Sequence, residues 1–232
     1  MSKTIMVTGA NRGIGRQLAE RLVERGWDVL ALGRDREALS QLGCRTVVAD
    51  LERPEELAEA LPRLERLDAL VHNAGVAELG AVAELSIGSW QRQLTVNLVA
   101  AAELTRLLLP ALRAARGHVL FVNSGAGWSP ASREIGGYAA SKHGLKALAD
   151  ALRDEERGNG VRVTSFYPSH TDTDMQRHFR SHLDAAYDPQ RAISAGSAAE
   201  VMIGILEGPP DAVVEDMRLM PPNPLPMSAK GY

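Results

Sequence analysis

The sequence predicts an α/β fold: a doubly wound parallel sheet of about seven strands with helices on both faces. Three observations lead there. Short apolar runs alternate with longer amphipathic stretches, as βαβ units require. The apolar runs lack polar alternation, which suits strands buried on both faces. No interior stretch is rich enough in Pro, Gly or Ser to act as a linker and no repeat is present, so the 232 residues read as one domain. That length is ordinary for a single α/β domain and lets the chain bury roughly 70% of its unfolded surface.

Strands are predicted at Ile5–Thr8, Val29–Leu32, Thr46–Ala49, Ala69–His72, Val119–Asn123, Val163–Tyr167 and Ala212–Glu215. Between the first two, Ile14, Leu18 and Leu22, with Ala19 and Val23, recur at helical spacing, and Gly26 can close that helix. A second helix is expected near Asp35, a third after Pro54, and a long one from about Ser86 to Leu112. Another starts near Tyr138 and stops at Gly158-Asn159-Gly160; the last spans about Ala198–Leu206, before Gly208-Pro209-Pro210.

Composition narrows the function classes. The chain is 45% hydrophobic and 24% charged, with 26 Lys+Arg against 29 Asp+Glu and a net charge of −3. That balance fits a globule rather than a disordered or fibrous chain and gives no basic footprint for nucleic acid. One cysteine, Cys44, cannot form an internal disulfide. Neither a signal peptide nor an unbroken apolar run of membrane-spanning length is visible, so a cytoplasmic protein with no membrane or nucleic-acid partner is expected.

Directly after the first strand comes Thr8-Gly9-Ala10-Asn11-Arg12-Gly13-Ile14-Gly15, opening a helix. Glycines there permit a tight turn and let backbone N–H groups approach a pyrophosphate at the positive helix end. Three glycines at these offsets arise by chance about 0.2 times per chain, so the strand before and the helix after make the case. The second strand ends at Leu32-Gly33-Arg34. An NAD site usually places a carboxylate about here for the adenosine 2′-hydroxyl, and Gly33 offers none. Arg34 and Arg12 present planar guanidinium forks suited to a 2′-phosphate. NADP(H) is therefore expected over NAD(H). Asp35 either turns toward the ribose or, more simply, caps the next helix.

Tyr138-Ala139-Ala140-Ser141-Lys142 puts a phenol and an ammonium on one helical face. A phenol titrates near 10, too high for efficient proton exchange at neutral pH, and a neighbouring cation pulls that value down. Ser124 sits fourteen residues upstream, just past a buried strand, where open parallel sheets bind ligands.

With these motifs in place, the chain resembles the short-chain dehydrogenase/reductase family, in its single-domain branch with Thr-Gly-x-x-x-Gly-x-Gly and Tyr-x-x-x-Lys. The likeness extends to Asp50-Leu51, Asn73-Ala74-Gly75, Asn97, and Pro168 through Thr173. It implies a Rossmann-like fold and a cofactor site at Gly9, Asn11, Arg12, Gly13, Ile14, Gly15, Arg34, Asp50, Leu51, Asn73, Ala74, Gly75, Tyr138, Lys142, Pro168, Thr171 and Thr173. The implied catalytic set is Asn97, Ser124, Tyr138 and Lys142. In that family pattern Tyr138 exchanges a proton with a carbonyl or alcohol substrate and Ser124 bonds its oxygen. Lys142 holds the nicotinamide ribose and lowers the Tyr138 pKa, Asn97 anchors a relay water, and Thr173 binds the carboxamide. A homodimer or homotetramer is implied on the same ground.

Two departures stand out: His72 replaces the first Asn of Asn-Asn-Ala-Gly, and Ser169 replaces the glycine after Pro168. His72 reads as a strand-end side chain, while Ser169 and His170 become possible substrate contacts. In the segment expected to form a lid, residues 174–196, Met175, Phe179, Leu183 and Tyr187 form a four-residue stripe on a helix ended by Pro189. With Trp128 and Ile135 the stripe either lines an apolar pocket or packs on the core; Arg177, Arg180 and Asp184 face elsewhere. His178 and His182 resemble half a metal site without a third ligand, and no metal is expected. Pro221 through Pro226 reads as a surface tail rather than a polyproline ligand. The reading is an NADP(H)-dependent oxidoreductase acting on a carbonyl or secondary alcohol. The alternatives are a non-catalytic NADP(H)-sensing regulator and an NAD-linked dehydrogenase.

Overall fold

The computed structural model describes residues 2–129 and 133–225. Seven parallel strands make the main sheet: β1 (Thr4–Thr8), β2 (Asp28–Gly33), β3 (Arg45–Val48), β4 (Ala69–His72), β5 (His118–Val122), β6 (Arg162–Pro168) and β9 (Asp216–Leu219), in the order β3-β2-β1-β4-β5-β6-β9. A separate parallel pair, β7 (Thr171–Asp172) and β8 (Ile193–Ser194), lies in the segment after β6. The order reverses between β1 and β4, which opens a crevice at the strand C-termini.

Alternate side chains of each strand enter two cores. Ile5, Val7, Val29 and Ala31 meet α1 (Gly13–Glu24) and α8 (Ala195–Leu206), through Leu18, Leu22, Met202 and Leu206. Met6, Leu30, Leu32 and Phe121 face the other way, onto α5 (Ala100–Ala115) and α6 (Gly136–Glu156), through Leu104, Leu108, Leu145 and Ala149. Burial on both faces is why these strands read as unbroken apolar runs.

The remaining helices are α2 (Arg36–Ser40), α3 (Leu57–Ala60), α4 (Ile87–Leu94) and α7 (Asp174–His182). Asp35 caps α2 by accepting the Ala38 N–H at 3.0 Å, which decides between its two expected roles. The long helix is α4 and α5 joined by a π turn at Thr95–Val99, and it continues past Leu112 to Ala115. The run Ile87–Ala115 is, by length and composition alone, long and apolar enough to cross a membrane. Here its apolar side is spent on the sheet, through Leu104, Leu108 and Leu112.

Two expectations are corrected. The seventh strand is Asp216–Leu219 rather than Ala212–Glu215. Val213 and Val214 stay exposed, whereas Asp216–Leu219 pair with Ser165–Pro168 and turn Met217 and Leu219 to the core. The helix after Thr173 ends at His182, because Asp184 adopts a left-handed φ of 48° and the Ala185 N–H closes onto the Arg180 carbonyl. Tyr187 therefore lies outside the helix, and its hydroxyl bonds Asp172.

Candidate active site

A cleft of about 1030 Å³ runs along the C-terminal ends of the strands. One half is built from the loops after β1 to β4. Gly9, Asn11, Arg12, Gly13 and Ile14 line it from the first loop; Arg34, Asp50 and Leu51 from the second and third; Asn73, Ala74 and Gly75 from the fourth. Gly9 has φ +67°, and a Cβ there would sit 2.8 Å from the Ala74 Cα, so only glycine lets the two loops meet. Thr8 Oγ1 ties them by accepting the N–H groups of Asn73 and Ala74, each at 3.0 Å. This cradle of small residues, ending on the N-terminus of α1, fits a pyrophosphate.

Charge at this end is dense. Arg34 pairs with Glu52 at 2.9 Å and approaches Asp50 at 3.8 Å. Arg12 reaches Asp174, the first residue of α7, at 3.5 Å. Both guanidiniums are largely solvent-exposed, so each can move to a phosphate at little cost.

β5 and α6 build the other half. Ser124 follows the end of β5 and lies on the cleft wall beside Tyr138 and Lys142, which α6 carries. The Lys142 Nζ donates to the Val122 carbonyl at 2.9 Å, and burial pushes its pKa down to about 8. Burial pushes the Tyr138 phenol up, opposed in part by a hydrogen bond from Ser124. The lowering of Tyr138 expected from Lys142 is therefore corrected. With its ammonium 5.9 Å from the phenol ring centre and bonded to a strand carbonyl, desolvation of the phenol dominates.

Asn97 is buried and off the cleft wall. Its amide accepts from the Val76 N–H and donates to the Val76 carbonyl, both at 2.8 Å, and donates to Ser141 at 2.9 Å. Its side chain thus holds loop to helix, from within the π turn at Thr95–Val99.

Beyond Tyr138, the wall is formed by Pro168 at the end of β6 and by Ser169, His170, Thr171 and Thr173 after it. Ile135 and Phe179 pack with Tyr138 in a small apolar cluster that includes Met175. The Phe179 ring meets Tyr138 edge-on at 5.5 Å. The stripe thus divides: Met175 and Phe179 reach the cleft, while Leu183, Tyr187 and Trp128 do not. Arg180 is 3% exposed and donates to the Leu225 carbonyl, because the C-terminal strap covers that side of α7. Arg191 also holds the strap, at Asn223 and Pro224; Pro226 lies outside the described residues.

The short-chain dehydrogenase family model matches residues 3–184. The chain belongs to that family. It is 31% identical to the serine 3-dehydrogenase of Agrobacterium fabrum, covering 96% of this chain and 95% of that one. Against the 2,3-dihydro-2,3-dihydroxybenzoate dehydrogenase of Escherichia coli it is 39% identical over 183 residues, 75% of this chain and 72% of the relative. A short-chain dehydrogenase from Burkholderia cenocepacia, solved in complex with NADP, superposes with a TM-score of 0.82 at 28% identity, covering 94% of this chain and 88% of that one.

In this short-chain dehydrogenase, all the site residues expected from the sequence line the cleft except Gly15 and Asn97. Gly15 packs against Asn73 and Gly9 instead. His72 is a buried strand-end residue, stacked on Phe121 at 4.8 Å and bonded to Thr105. His182 meets Glu134 at 3.0 Å, and among the described residues no cluster could hold a metal. Sequence reasoning missed Gln176, Arg218 and Met220 on the wall. The last two follow from the displaced last strand, and Gln176 carries no local motif.

Proposed function

We infer that this chain is an NADP(H)-dependent oxidoreductase that interconverts a small carbonyl compound and its alcohol. The observation that carries the reading is one continuous cleft with a glycine cradle at one end and Ser124, Tyr138 and Lys142 at the other. The cofactor assignment is supported by the NADP held by the Burkholderia relative and by Arg12 and Arg34 near a β2 that ends in Gly33 rather than a carboxylate. When bound, the nicotinamide supplies or accepts the hydride.

The chain's own groups handle the proton. Ser124 Oγ donates to the substrate oxygen and stabilises charge developing there. Tyr138 Oη exchanges a proton with the same oxygen. Burial raises its pKa, which keeps the resting phenol protonated, the form that gives a proton to a carbonyl. Lys142, near 8, is mostly charged at neutral pH and sits where it can hold the ribose hydroxyls. Thr171 and Thr173 border the site for the carboxamide. Ile135 and Phe179 pack beside the phenol and keep water from it.

The test is NADPH consumption across a panel of carbonyl compounds. For any substrate found, Tyr138→Phe is expected to lower kcat by about 10²-fold or more while NADPH binding, read by calorimetry, changes little. Full turnover by Tyr138→Phe would sink the assigned mechanism.

A further inference from the structure

The cleft is unevenly charged along its length. Its wall carries four carboxylates: Asp35, Asp50 and Glu52 follow β2 and β3, and Asp174 faces Arg12 at the glycine turn. Arg218 is also on the described wall, on β9 at the opposite edge of the sheet from the strands that precede Arg12 and Arg34.

Arg218 differs from the two arginines at the adenosine end. Arg12 and Arg34 each have a carboxylate partner, whereas no described carboxylate lies within 4.0 Å of Arg218. Asp216, two residues earlier on β9, accepts the Tyr167 hydroxyl at 3.0 Å and is not on the wall. The Arg218 guanidinium is instead placed by an aromatic ring, 5.8 Å from the centre of Trp128. Trp128 in turn meets Tyr167 edge-on at 5.2 Å, and Tyr167 pairs with Arg218 in the sheet. Ring contact restrains a guanidinium through its face and leaves the N–H fork in its plane unspent. A second observation points the same way. Gln176 is also on this wall, and its buried Nε2 has no acceptor, a deficit that a ligand oxygen would remove.

We propose that Arg218 is the anion anchor of the substrate subsite, so that the carbonyl or alcohol substrate carries an oxyanion, a carboxylate or a phosphate, gripped by the guanidinium fork. Gln176 donates to a further oxygen of the same substrate. The proposal rests on the oxidoreductase reading only for the position of the reacting carbon.

The experiment titrates matched probes into the full chain by calorimetry, with and without NADP⁺. One pair is 4-oxopentanoate and its methyl ester; the other is dihydroxyacetone phosphate and dihydroxyacetone. The wild type is expected to bind at least one anion about tenfold or more tighter than its neutral partner. Arg218→Met should abolish that ratio and Arg218→Lys should keep part of it, since a lysine retains charge but loses the fork. The pair that discriminates identifies carboxylate or phosphate. Equal or absent binding of acid and neutral probe in both pairs, or a ratio that survives Arg218→Met, would overturn the proposal. Failure of the oxidoreductase reading shows separately, as an absence of nicotinamide cofactor binding, while the cofactor-free titrations still judge Arg218.

Discussion

Asn11 occupies the space that a side chain at Gly33 would need: a Cβ on residue 33 would lie 1.6 Å from the Asn11 Oδ1. The end of β2 thus carries no carboxylate of the kind found in NAD-selective sites, and the Asn11 side chain fills the space in its place. Gly33→Ala is expected to destabilise the chain by at most about 1 kcal/mol, because the Asn11 side chain must turn aside, read by urea unfolding. Adding Asn11→Ala should recover most of that loss, because the clash is confined to one side chain. Additive losses in the double variant would show that the strain lies elsewhere.

Arg34 stands at the adenosine end, held by Glu52. Arg34→Asp replaces a phosphate-binding fork with a repelling carboxylate, so NADPH affinity should fall relative to NADH by about tenfold or more, a change of about 1.4 kcal/mol. Calorimetric titration with both cofactors checks it, and an unchanged ratio would mean that Arg34 does not read the 2′-phosphate.

Lys142 titrates near 8 in the folded chain because it is buried, and it returns to an ordinary lysine value on unfolding. Between those values the unfolded chain binds the extra proton, so this group makes stability rise with pH, by at most about 1.4 kcal/mol per pH unit. Lys142→Met should flatten the stability–pH profile over that window. Parallel profiles for the two proteins would place the lysine in water rather than in the core.

His72 and His118 behave in the opposite pH range. Burial holds both at about 3, below the ordinary histidine value. As pH falls below that ordinary value the unfolded chain takes up protons that the folded chain refuses, so stability present at neutral pH is lost toward about pH 3. His72→Asn, which cannot titrate, should shed up to about 1.4 kcal/mol per pH unit of that slope. Chemical denaturation at stepped acid pH reads it, and an unaltered slope would refute the buried neutral imidazole.

The parts of this protein legible in its sequence are those decided within a few residues. Ile5–Val7, Val29–Leu32 and Ala69–Val71 are apolar on consecutive positions because both sheet faces are covered, and that alone marks them as strands. The glycine turn announces itself because backbone must approach backbone, and Tyr138 and Lys142 share a face by helical geometry. Asp35 was legible as a cap because the helix it serves begins at the next residue.

Where the sequence reading failed, distant chain decided. Val213 and Val214 look like a strand, yet the register with β6 selects Asp216–Leu219, and Arg218 and Met220 reach the cleft only because of it. Arg180 is buried only because the C-terminal strap, far along the chain, lies over it. The Tyr138 phenol moves up rather than down because burial, a property of the whole packed site, outweighs the neighbour that local spacing provides. By itself, then, the sequence determined the α/β architecture and the glycine turn, which follow from local periodicity and backbone sterics, while the resemblance to a family singled out Ser124, Tyr138 and Lys142. Only the tertiary structure decided which side chains line the cleft and how burial shifts them, because burial and charge pairing depend on segments that meet only in the folded chain.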